Sequence, residues 1–427
     1  MKRMRCSTKT RLIISFLLLF SVGQQMSGQK KEVRTYFPIN DNTAFIDISG
    51  KTIIQSSRPD LFKEVVRVSE NFGGFRGPDP ESTWISFGEF SEGRARARWT
   101  LCPKCRNAFP VDGIIDETGR LVIPPRNSNT RYGSFHEGLA QYFESGWGFI
   151  DREGRVAIEA KFYEVSDFSE GLALVRLSEK RKFGYINQKG ELVIPSQFAW
   201  AGDFHDGLAA VKSSQGQYGF IDKTGKLVLH SKAWLEVKDF SEGLAGVKVE
   251  ITDTSVYQGY MDAKYCFIDH SGKTVILPRF DRVENFSEGR ALFFQTGTNH
   301  GYGFIDSSGQ IVIKAEYVDG KSFSEGLAAV AIKSSDDRNL WGYINYEGNW
   351  VIRPQFQNVD SFNGGLAAVN CDDYGRNCKA YIDAAGAYRW QKLQGATASL
   401  PADGPSVNFV SGWQLARPAG KDACAPD

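Results

Sequence analysis

One motif recurs along the chain at intervals of 33 to 46 residues, and it constrains the fold more than any other feature. Its clearest copy begins with Phe168-Ser-Glu-Gly-Leu-Ala-Leu-Val175 and continues with Phe183-Gly-Tyr-Ile-Asn187. The Phe-x-x-Gly start recurs at Phe90, Phe135, Phe168, Phe204, Phe240, Phe286, Phe323 and Phe362. Repeats of this length indicate a row or ring of small units, each of which buries its apolar face only against its neighbours.

Within each copy the apolar residues alternate with polar ones, which predicts β-strands. The first strand always carries alanine two positions after the glycine, at Ala95, Ala140, Ala173, Ala209, Ala245, Ala291, Ala328 and Ala367. A recurring alanine predicts a neighbour too close for any larger side chain.

A second strand, of the pattern aromatic-Gly-aromatic-Ile, ends in Asp/Asn-x-x-Gly, which predicts a type I turn closed by a left-handed glycine. This turn starts at Asp47, Asp116, Asp151, Asn187, Asp222, Asp269, Asp306, Asn345 and Asp383. A third strand follows, and we expect proline to stop it at Pro124, Pro195 and Pro354. Each repeat is therefore predicted to be a three-stranded meander, with room for a short fourth strand before the next phenylalanine.

These copies resemble the WG-repeat family, which is named for the pair seen here at Trp147-Gly148 and Trp341-Gly342. The matching stretch covers roughly residues 45–390, although Cys266 replaces the glycine in one copy. The resemblance implies an all-β repeat protein and supplies no catalytic residues.

The predicted fold is all-β, with eight or nine tandem meanders arranged in a propeller-like ring. Closure is favoured because a ring leaves few strand edges exposed. The alternative is an open β-superhelix, or solenoid. We divide the chain into a signal peptide (1–28), an N-terminal segment with a polar leader and a first half-repeat (29–89), the repeat array (90–390) and a C-terminal extension that is expected to be partly disordered (391–427).

The first 28 residues have the features of a secretory signal peptide. Five basic residues accompany an apolar run over residues 12–22, and small residues follow it. The run is short for a membrane span, which favours a signal peptide. The alternative is an uncleaved membrane anchor. Cleavage would leave a secreted, periplasmic or envelope protein without a transmembrane segment. Residues 1–28 carry five positive charges and no negative ones, so the net charge of +1 becomes −4. That near balance gives no electrostatic reason to expect nucleic-acid binding.

Two columns of side chains are candidates for chemistry. The residue before each motif glycine is usually acidic, at Glu92, Glu137, Glu170, Asp206, Glu242, Glu288 and Glu325. Such a ring could bind cations or act on a sugar, but an acid in a turn more simply accepts backbone N–H bonds. His136 and His205 take the serine position of the motif in two copies that are not adjacent, and a metal site would require a third ligand near both. We therefore predict no catalytic residue, metal site or cofactor.

The cysteines give the sharpest local pattern. Cys102 and Cys105 form a C-x-x-C pair, and Cys371 and Cys378 occupy the same loop of another repeat. A redox pair and half of a zinc site remain alternatives. Equivalent placement in two repeats of an exported protein favours two local disulfides, Cys102–Cys105 and Cys371–Cys378. The partners of Cys266 and Cys424 stay open.

These patterns favour an exported, non-enzymatic scaffold that binds a protein or a cell-envelope polymer. The alternative is a secreted carbohydrate-active hydrolase or lyase on a ring-shaped β fold. The loops between the first and second strands differ most in length, so we expect the binding face at the end of the meanders that carries them.

Overall fold

The computed structural model describes the repeat array and the half-repeat before it. The residues described are 36–39, 44–49, 51–55, 84–101, 109–126, 130–179, 182–251, 262–297, 300–370, 379–393 and 396–399. All regular elements in these ranges are β-strands. This part of the chain contains no helix with the length and apolarity that a bilayer span requires.

Eight antiparallel sheets, or blades, follow a three-stranded N-terminal sheet. The N-terminal sheet consists of β1 (Phe37–Ile39), β2 (Ala44–Ile46) and β3 (Thr52–Gln55). Blade 1 consists of β4 (Trp84–Ser91), β5 (Arg94–Leu101), β6 (Phe109–Asp116) and β7 (Leu121–Ile123). Blade 2 consists of β8 (Arg131–His136), β9 (Leu139–Phe143), β10 (Trp147–Asp151) and β11 (Val156–Phe162). Blade 3 consists of β12 (Glu164–Val165), β13 (Leu172–Arg176), β14 (Phe183–Asn187) and β15 (Leu192–Phe198), and blade 4 of β16 (Trp200–His205), β17 (Leu208–Lys212), β18 (Tyr218–Asp222) and β19 (Leu227–His230).

Blades 5 to 8 continue the same order. Blade 5 consists of β20 (Trp234–Val237), β21 (Leu244–Ile251), β22 (Asp262–Asp269) and β23 (Thr274–Phe280). Blade 6 consists of β24 (Arg282–Val283), β25 (Arg290–Gln295), β26 (Gly301–Asp306) and β27 (Ile311–Tyr317), and blade 7 of β28 (Asp319–Gly320), β29 (Ala328–Lys333), β30 (Asn339–Ile344) and β31 (Trp350–Phe356). Blade 8 consists of β32 (Asn358–Val359), β33 (Leu366–Asn370), β34 (Lys379–Asp383), β35 (Tyr388–Leu393) and β36 (Ala396–Ser399). Only blade 8 has a fifth strand among the described residues.

The strands of each blade are called A, B, C and D in chain order. Strand A is the short strand that leads to the motif phenylalanine, so the repeat has four strands. The A–B and C–D turns lie at one end of the blades, the turn end. The B–C loops and the connections from D to the next A lie at the other end, the loop end, because successive connections of a meander alternate between the two ends of the strands.

The sheets close into a ring. Nine clusters of buried side chains lie among the described residues, and each contains residues from two successive sheets. One cluster joins Phe45 of the N-terminal sheet to Phe87 and Ala97 of blade 1. Another joins Ile46 of the same sheet to Trp390 of blade 8. The N-terminal sheet therefore lies between the last blade and the first, and the alternative of an open superhelix is excluded.

The N-terminal sheet is a half-repeat that supplies strands B, C and D. Its pairing of Phe37 with Ile46 corresponds to that of Ala173 with Ile186 in blade 3. The polar leader expected before residue 45 thus includes a strand, because Phe37–Ile39 pairs with β2. The ring consists of eight complete blades and this incomplete sheet.

A ladder of aromatic rings runs through the interfaces. In seven of them the motif phenylalanine packs on the strand C aromatic of the preceding sheet, with ring centroids 4.8–5.0 Å apart. Between blades 1 and 2, Phe135 instead packs in a cluster with Ile114. Aromatic pairs at this spacing add to the free energy of burial, so the ladder is a major source of stability.

All eight repeated alanines are buried, with at most 2% of their surface exposed. Ala209, for example, packs in the cluster that holds Tyr185 and Ile194 of the preceding blade. The close neighbour predicted from the sequence is therefore the adjacent blade.

Leucine at Ala328 should lower the free energy of unfolding by about 1–3 kcal/mol, because the added atoms overpack this interface. Denaturant unfolding of the full chain measures the change. Ala157 is an exposed alanine on strand β11 and gives the matched control, for which we expect little change with leucine. Equal stability of the two variants would show that the interface has spare room.

The prediction that proline stops the third strand is wrong at two of three positions. Pro195 lies inside β15 and Pro354 inside β31, whereas Pro124 follows β7 directly. In these two blades strand D is the edge strand, and each proline lies at a register shift of the C–D ladder, a position where proline is tolerated. Proline at these positions also discourages pairing with another chain.

Several predictions fall outside the described residues. These are the signal peptide, the end of the C-terminal extension, and the disulfides Cys102–Cys105 and Cys371–Cys378, which stay predictions. At the C-terminal boundary, β35 and β36 extend blade 8 past residue 390, where the repeat pattern fades from the sequence.

Candidate functional site

At the turn end, the column of acids links neighbouring blades. Each of the seven acids accepts a hydrogen bond from the N–H of the turn glycine in the next blade, at 2.8–3.1 Å. Glu170, for example, accepts from Gly207, and Lys223 of blade 4 lies 3.1 Å from its carboxylate. The acids thus accept backbone N–H bonds, but the donors belong to the neighbouring blade.

The acids occupy a strained backbone conformation. All seven have φ between 51° and 55°, and the glycine after each also has positive φ. Together with the paired hydrogen bonds between Ser169 and Leu172, this defines a two-residue type I′ hairpin. A residue with a side chain adopts this backbone conformation at some cost in free energy. The hydrogen bond from the carboxylate to the next blade offsets that cost. In blade 8 the same position is Gly364, and the N-terminal sheet that follows has no A–B turn among its described residues.

The nine Asp/Asn-x-x-Gly turns are closed by their own side chains. In each turn one side-chain oxygen accepts N–H bonds from residues two and four positions later, as Asp222 does from Thr224 and Lys226 at 2.9 and 3.1 Å. In the eight turns whose glycine the structure describes, this glycine has φ of about 80°, as for Gly225 at 83°. The predicted turn chemistry accounts for this column.

These turns make stability depend on acid pH. The hydroxyl of Thr224 lowers the pKa of Asp222 below its ordinary value of 3.8, and Ser271 and Ser308 do the same for Asp269 and Asp306. A lowered folded-state pKa means that the stabilisation is complete above pH 3.8 and is lost as the pH falls through the folded value.

We expect the melting temperature to fall between pH 4 and pH 2 for this reason. Asp222→Asn should weaken that dependence, because Asn187 and Asn345 already close the same turn without a charge. Melting curves over this pH range give the comparison. An acid slope that the substitution leaves unchanged would contradict the assignment.

The structure does not bring His136 and His205 together. His136 lies on blade 2 with Nε2 3.3 Å from Asp167 of blade 3, whereas His205 lies on blade 4. Burial raises the pKa of Asp167 and of Asp239, and the charges of His136 and His205 respectively oppose the rise. Within the described residues, no group of three or more His, Cys, Asp or Glu side chains is placed to hold a metal ion.

The loop end carries aromatic and basic side chains side by side. The guanidinium of Arg176 lies 4.9 Å from the ring of Tyr163 and 5.2 Å from that of Phe183. In blade 4, the ammonium of Lys212 lies 4.5 Å from the ring of Tyr218. Lys248 and Tyr265 repeat the arrangement in blade 5 at 5.5 Å.

Large apolar side chains at this end remain exposed to solvent. Tyr163 is 49% exposed, and Leu177, Trp200 and Leu235 are each 42% exposed. Between blades 2 and 3 a groove of about 370 Å³ is lined by Phe143, Gly146, Lys161, Phe162, Tyr163, Leu177 and two serines. Exposed aromatics backed by cations and beside a groove are typical of a surface that binds another molecule.

Sequence reasoning placed the binding face at this end but missed these residues. Three of the variable B–C loops, at 102–108, 252–261 and 371–378, lie outside the described residues. The signal that could have found the surface is a basic residue five positions after the motif glycine, as in Arg176, Lys212 and Lys248, paired with the first aromatic of strand C. Cys266 is a free, buried thiol, and burial raises its pKa to about 11.

Eight blades of repeated sequence in a closed ring define an eight-bladed β-propeller. Seven segments of the chain match the family described as WG containing repeat, over residues 113–144, 147–180, 183–214, 218–250, 265–298, 302–333 and 341–374. The chain belongs to this WG-repeat family. Comparison with curated proteins gave no match.

Several solved structures show a distant likeness. A eukaryotic initiation factor is 12% identical over 66% of this chain and 92% of its own, with a TM-score of 0.38. BamB from Moraxella catarrhalis is 11% identical over 63% of this chain and 84% of its own, with a TM-score of 0.32. An acylaminoacyl peptidase from Pyrococcus horikoshii is 12% identical over 72% of this chain and 52% of its own, with a TM-score of 0.35. These likenesses are too distant to inform function.

Proposed function

We propose that this propeller is an exported, non-enzymatic scaffold that binds a protein partner of the cell envelope through its loop end. The observation that carries the proposal is the contrast between the two ends. At the turn end, carboxylates and turn amides bond to each other from blade to blade. At the loop end, Tyr163, Leu177, Trp200 and Leu235 expose large apolar surfaces beside basic side chains.

The chemistry of the loop end supports a protein partner. Tyrosine, tryptophan and arginine dominate the binding energy of protein interfaces, because each combines a large apolar area with a polar or charged group. Here Tyr163 directly precedes strand A of blade 3 and Trp200 begins strand A of blade 4, so several anchors lie on one rigid surface. An envelope polymer is the other ligand that the experiment below distinguishes.

The acid column supports a non-enzymatic role. A hydrolase acting on sugars needs two carboxylates in unlike environments, one of them held protonated. The seven acids of the turn end instead share one environment, each accepting a backbone N–H from the next blade.

The test compares two exposed tryptophans at opposite ends of the blades. Trp200 lies at the loop end, where it pairs with Lys212, and Trp350 lies at the turn end, where it pairs with Ile344. The full chain, expressed with its own leader in its native cells, is cross-linked and purified from the envelope. We expect Trp200→Ser to lose the partner that the wild type and Trp350→Ser retain. Loss with Trp350→Ser alone would place the binding face at the turn end, and recovery of polysaccharide instead of protein would identify a polymer ligand.

A loop exchange gives a second measurement. Ile251 and Asp262 are paired in the ladder, so residues 252–261 can be replaced by Asn-Gly, which forms a two-residue type I′ turn. The shortened protein should fold and bind less tightly if this loop contributes to recognition. Unchanged affinity would restrict the binding surface to the strands and the shorter loops.

A further inference from the structure

Blade 1 carries a row of arginines that no other blade repeats. Arg94, Arg96 and Arg98 alternate along β5 and therefore share one face of the sheet. Arg96 pairs in register with Ile114, which packs against Tyr132 and Phe135 of blade 2. The row thus faces the junction of blades 1 and 2. The position of Arg96 is uncharged in every other blade, where it is Gln141, Leu174, Ala210, Gly246, Leu292, Ala329 and Ala368.

The neighbours of Arg96 in this row have partners. Arg98 donates two hydrogen bonds to the carboxylate of Asp112, at 2.6 and 2.8 Å, and Asp112 is fully buried. Arg94 donates from Nη1 to the carbonyl oxygen of Gly93 at 3.0 Å. The carboxylate of Asp112 is therefore already paired with the guanidinium of Arg98.

The Nε of Arg96 is buried and donates to no acceptor; the Nε of Arg94 shares this state, but Arg94 donates through Nη1. Burial lowers the pKa of Arg96; Asp112 opposes this effect, and the positive charges of Arg98 and Arg131 add to it. Arg131 stands at the start of strand A in blade 2. The guanidinium of Arg96 therefore lies in the field of two other guanidiniums and of one carboxylate.

Arg96 as a whole is half-buried, and the backbone beside it leaves space next to its side chain. Residue 88, on strand A of the same blade, is a glycine, and a Cβ there would lie 3.5 Å from Cβ and 3.8 Å from Nε of Arg96. A larger side chain at this position would crowd Nε of Arg96. A buried, unpartnered donor on a charged group costs free energy, which an anion bound beside it would recover.

We propose that Arg96, together with Arg98 and Arg131, binds an oxyanion group at the junction of blades 1 and 2. The group is a carboxylate, sulfate or phosphate, because the planar fork of arginine donates two parallel hydrogen bonds to such oxygens. The site lies at the junction of blades 1 and 2, whereas the loop-end groove lies between blades 2 and 3, so either proposal can fail without the other.

The experiment measures binding of simple anions to the full-length chain. Sulfate, phosphate and acetate are each titrated calorimetrically, and melting temperatures are recorded at constant ionic strength against chloride. We expect at least one of the three to bind and to raise the melting temperature of the wild type. The anion that binds best distinguishes a carboxylate ligand from a phosphate or sulfate ligand.

The decisive variant is Arg96→Gln, with Arg290→Gln as the matched control. Arg290 lies on strand B of blade 6, donates to the carbonyl of Gly289 and also has a buried Nε without a partner, but it lies outside the cluster. Arg96→Gln should weaken anion binding at least tenfold, whereas Arg290→Gln should leave it unchanged. In chloride alone, Arg96→Gln should melt no lower than the wild type, since it removes repulsion from Arg98 and Arg131.

Two results would overturn the site: equal anion binding by Arg96→Gln and the wild type, or no response of the wild type to any of the three anions. If Arg96→Gln does not fold, Arg96→Lys keeps the charge and loses the fork. It should fold and bind more weakly than the wild type. Binding by Arg96→Lys that equals wild type would contradict the fork geometry.

Discussion

Replacing Phe204 by alanine is expected to lower the free energy of unfolding by about 3–5 kcal/mol, the usual cost of emptying a buried aromatic position. Phe204 is 1% exposed, and its ring centroid lies 5.0 Å from that of Tyr185 in the preceding blade. The substitution removes apolar burial and one step of the aromatic ladder together. Chemical denaturation of the full chain, followed by tyrosine and tryptophan fluorescence, measures the loss.

Phe143→Ala is the matched control for this substitution. Phe143 is a partly exposed phenylalanine at the loop end, so its loss leaves a smaller cavity. We expect it to cost less than half as much as Phe204→Ala. Similar costs for the two variants would mean that the ladder adds nothing beyond ordinary burial.

Gly184→Ala is expected to cost about 3 kcal/mol, the upper end of the usual penalty for overpacking. A methyl group at this position would lie 2.6 Å from the carbonyl oxygen of Ile194 and 2.8 Å from the amide nitrogen of Ser196. Both atoms belong to the backbone of strand D, so neither can move without disturbing the ladder. The glycine of the aromatic-Gly pair is thus required by the close approach of strand D.

Cys266 occupies the same position in blade 5, where it pairs with Val247 as Gly184 pairs with Val175. Blade 5 already accommodates a β-carbon there, so Cys266→Ala should cost much less than Gly184→Ala. Thermal unfolding of both variants makes the comparison. If Gly184→Ala is as stable as the wild type, then strand D moves away more readily than its hydrogen bonds suggest.

The sequence predicted the local structure well because strands and turns depend on nearby residues. Alternation identified strands B and C, and the Asp-x-x-Gly spacing identified a turn whose side chain bonds to its own backbone, as at Asp222. The buried alanines followed from their recurrence alone. Strand A was foreseen only as an option, because in several blades it is two residues long, as in Glu164–Val165.

The sequence pattern did not predict which residues of neighbouring blades contact each other. The sequence predicted that the turn acid Glu170 accepts a backbone N–H bond, but it did not identify the donor as Gly207 of the next blade, 37 residues away. Closure of the ring depends on where Phe45 and Ile46 lie in space, and alternation does not report that position. The exposed aromatics of the loop end and the arginine row of blade 1 were missed for the same reason. Each is recognised as a candidate site only when the residues around it in the folded protein are known.

The bonds between turn acids and turn amides have a direction, and this bears on how such rings can change in size. Each interior blade gives an N–H to the blade before it and takes one from the blade after it. Among the described residues, the series starts at Glu92 and ends at Gly365 and does not cross the junction of blade 8 with the N-terminal sheet. A duplicated interior blade would bring one donor and one acceptor and would leave the series intact. Growth or loss of whole blades during evolution is therefore easiest in the middle of the chain, while the two ends remain specialised for closure.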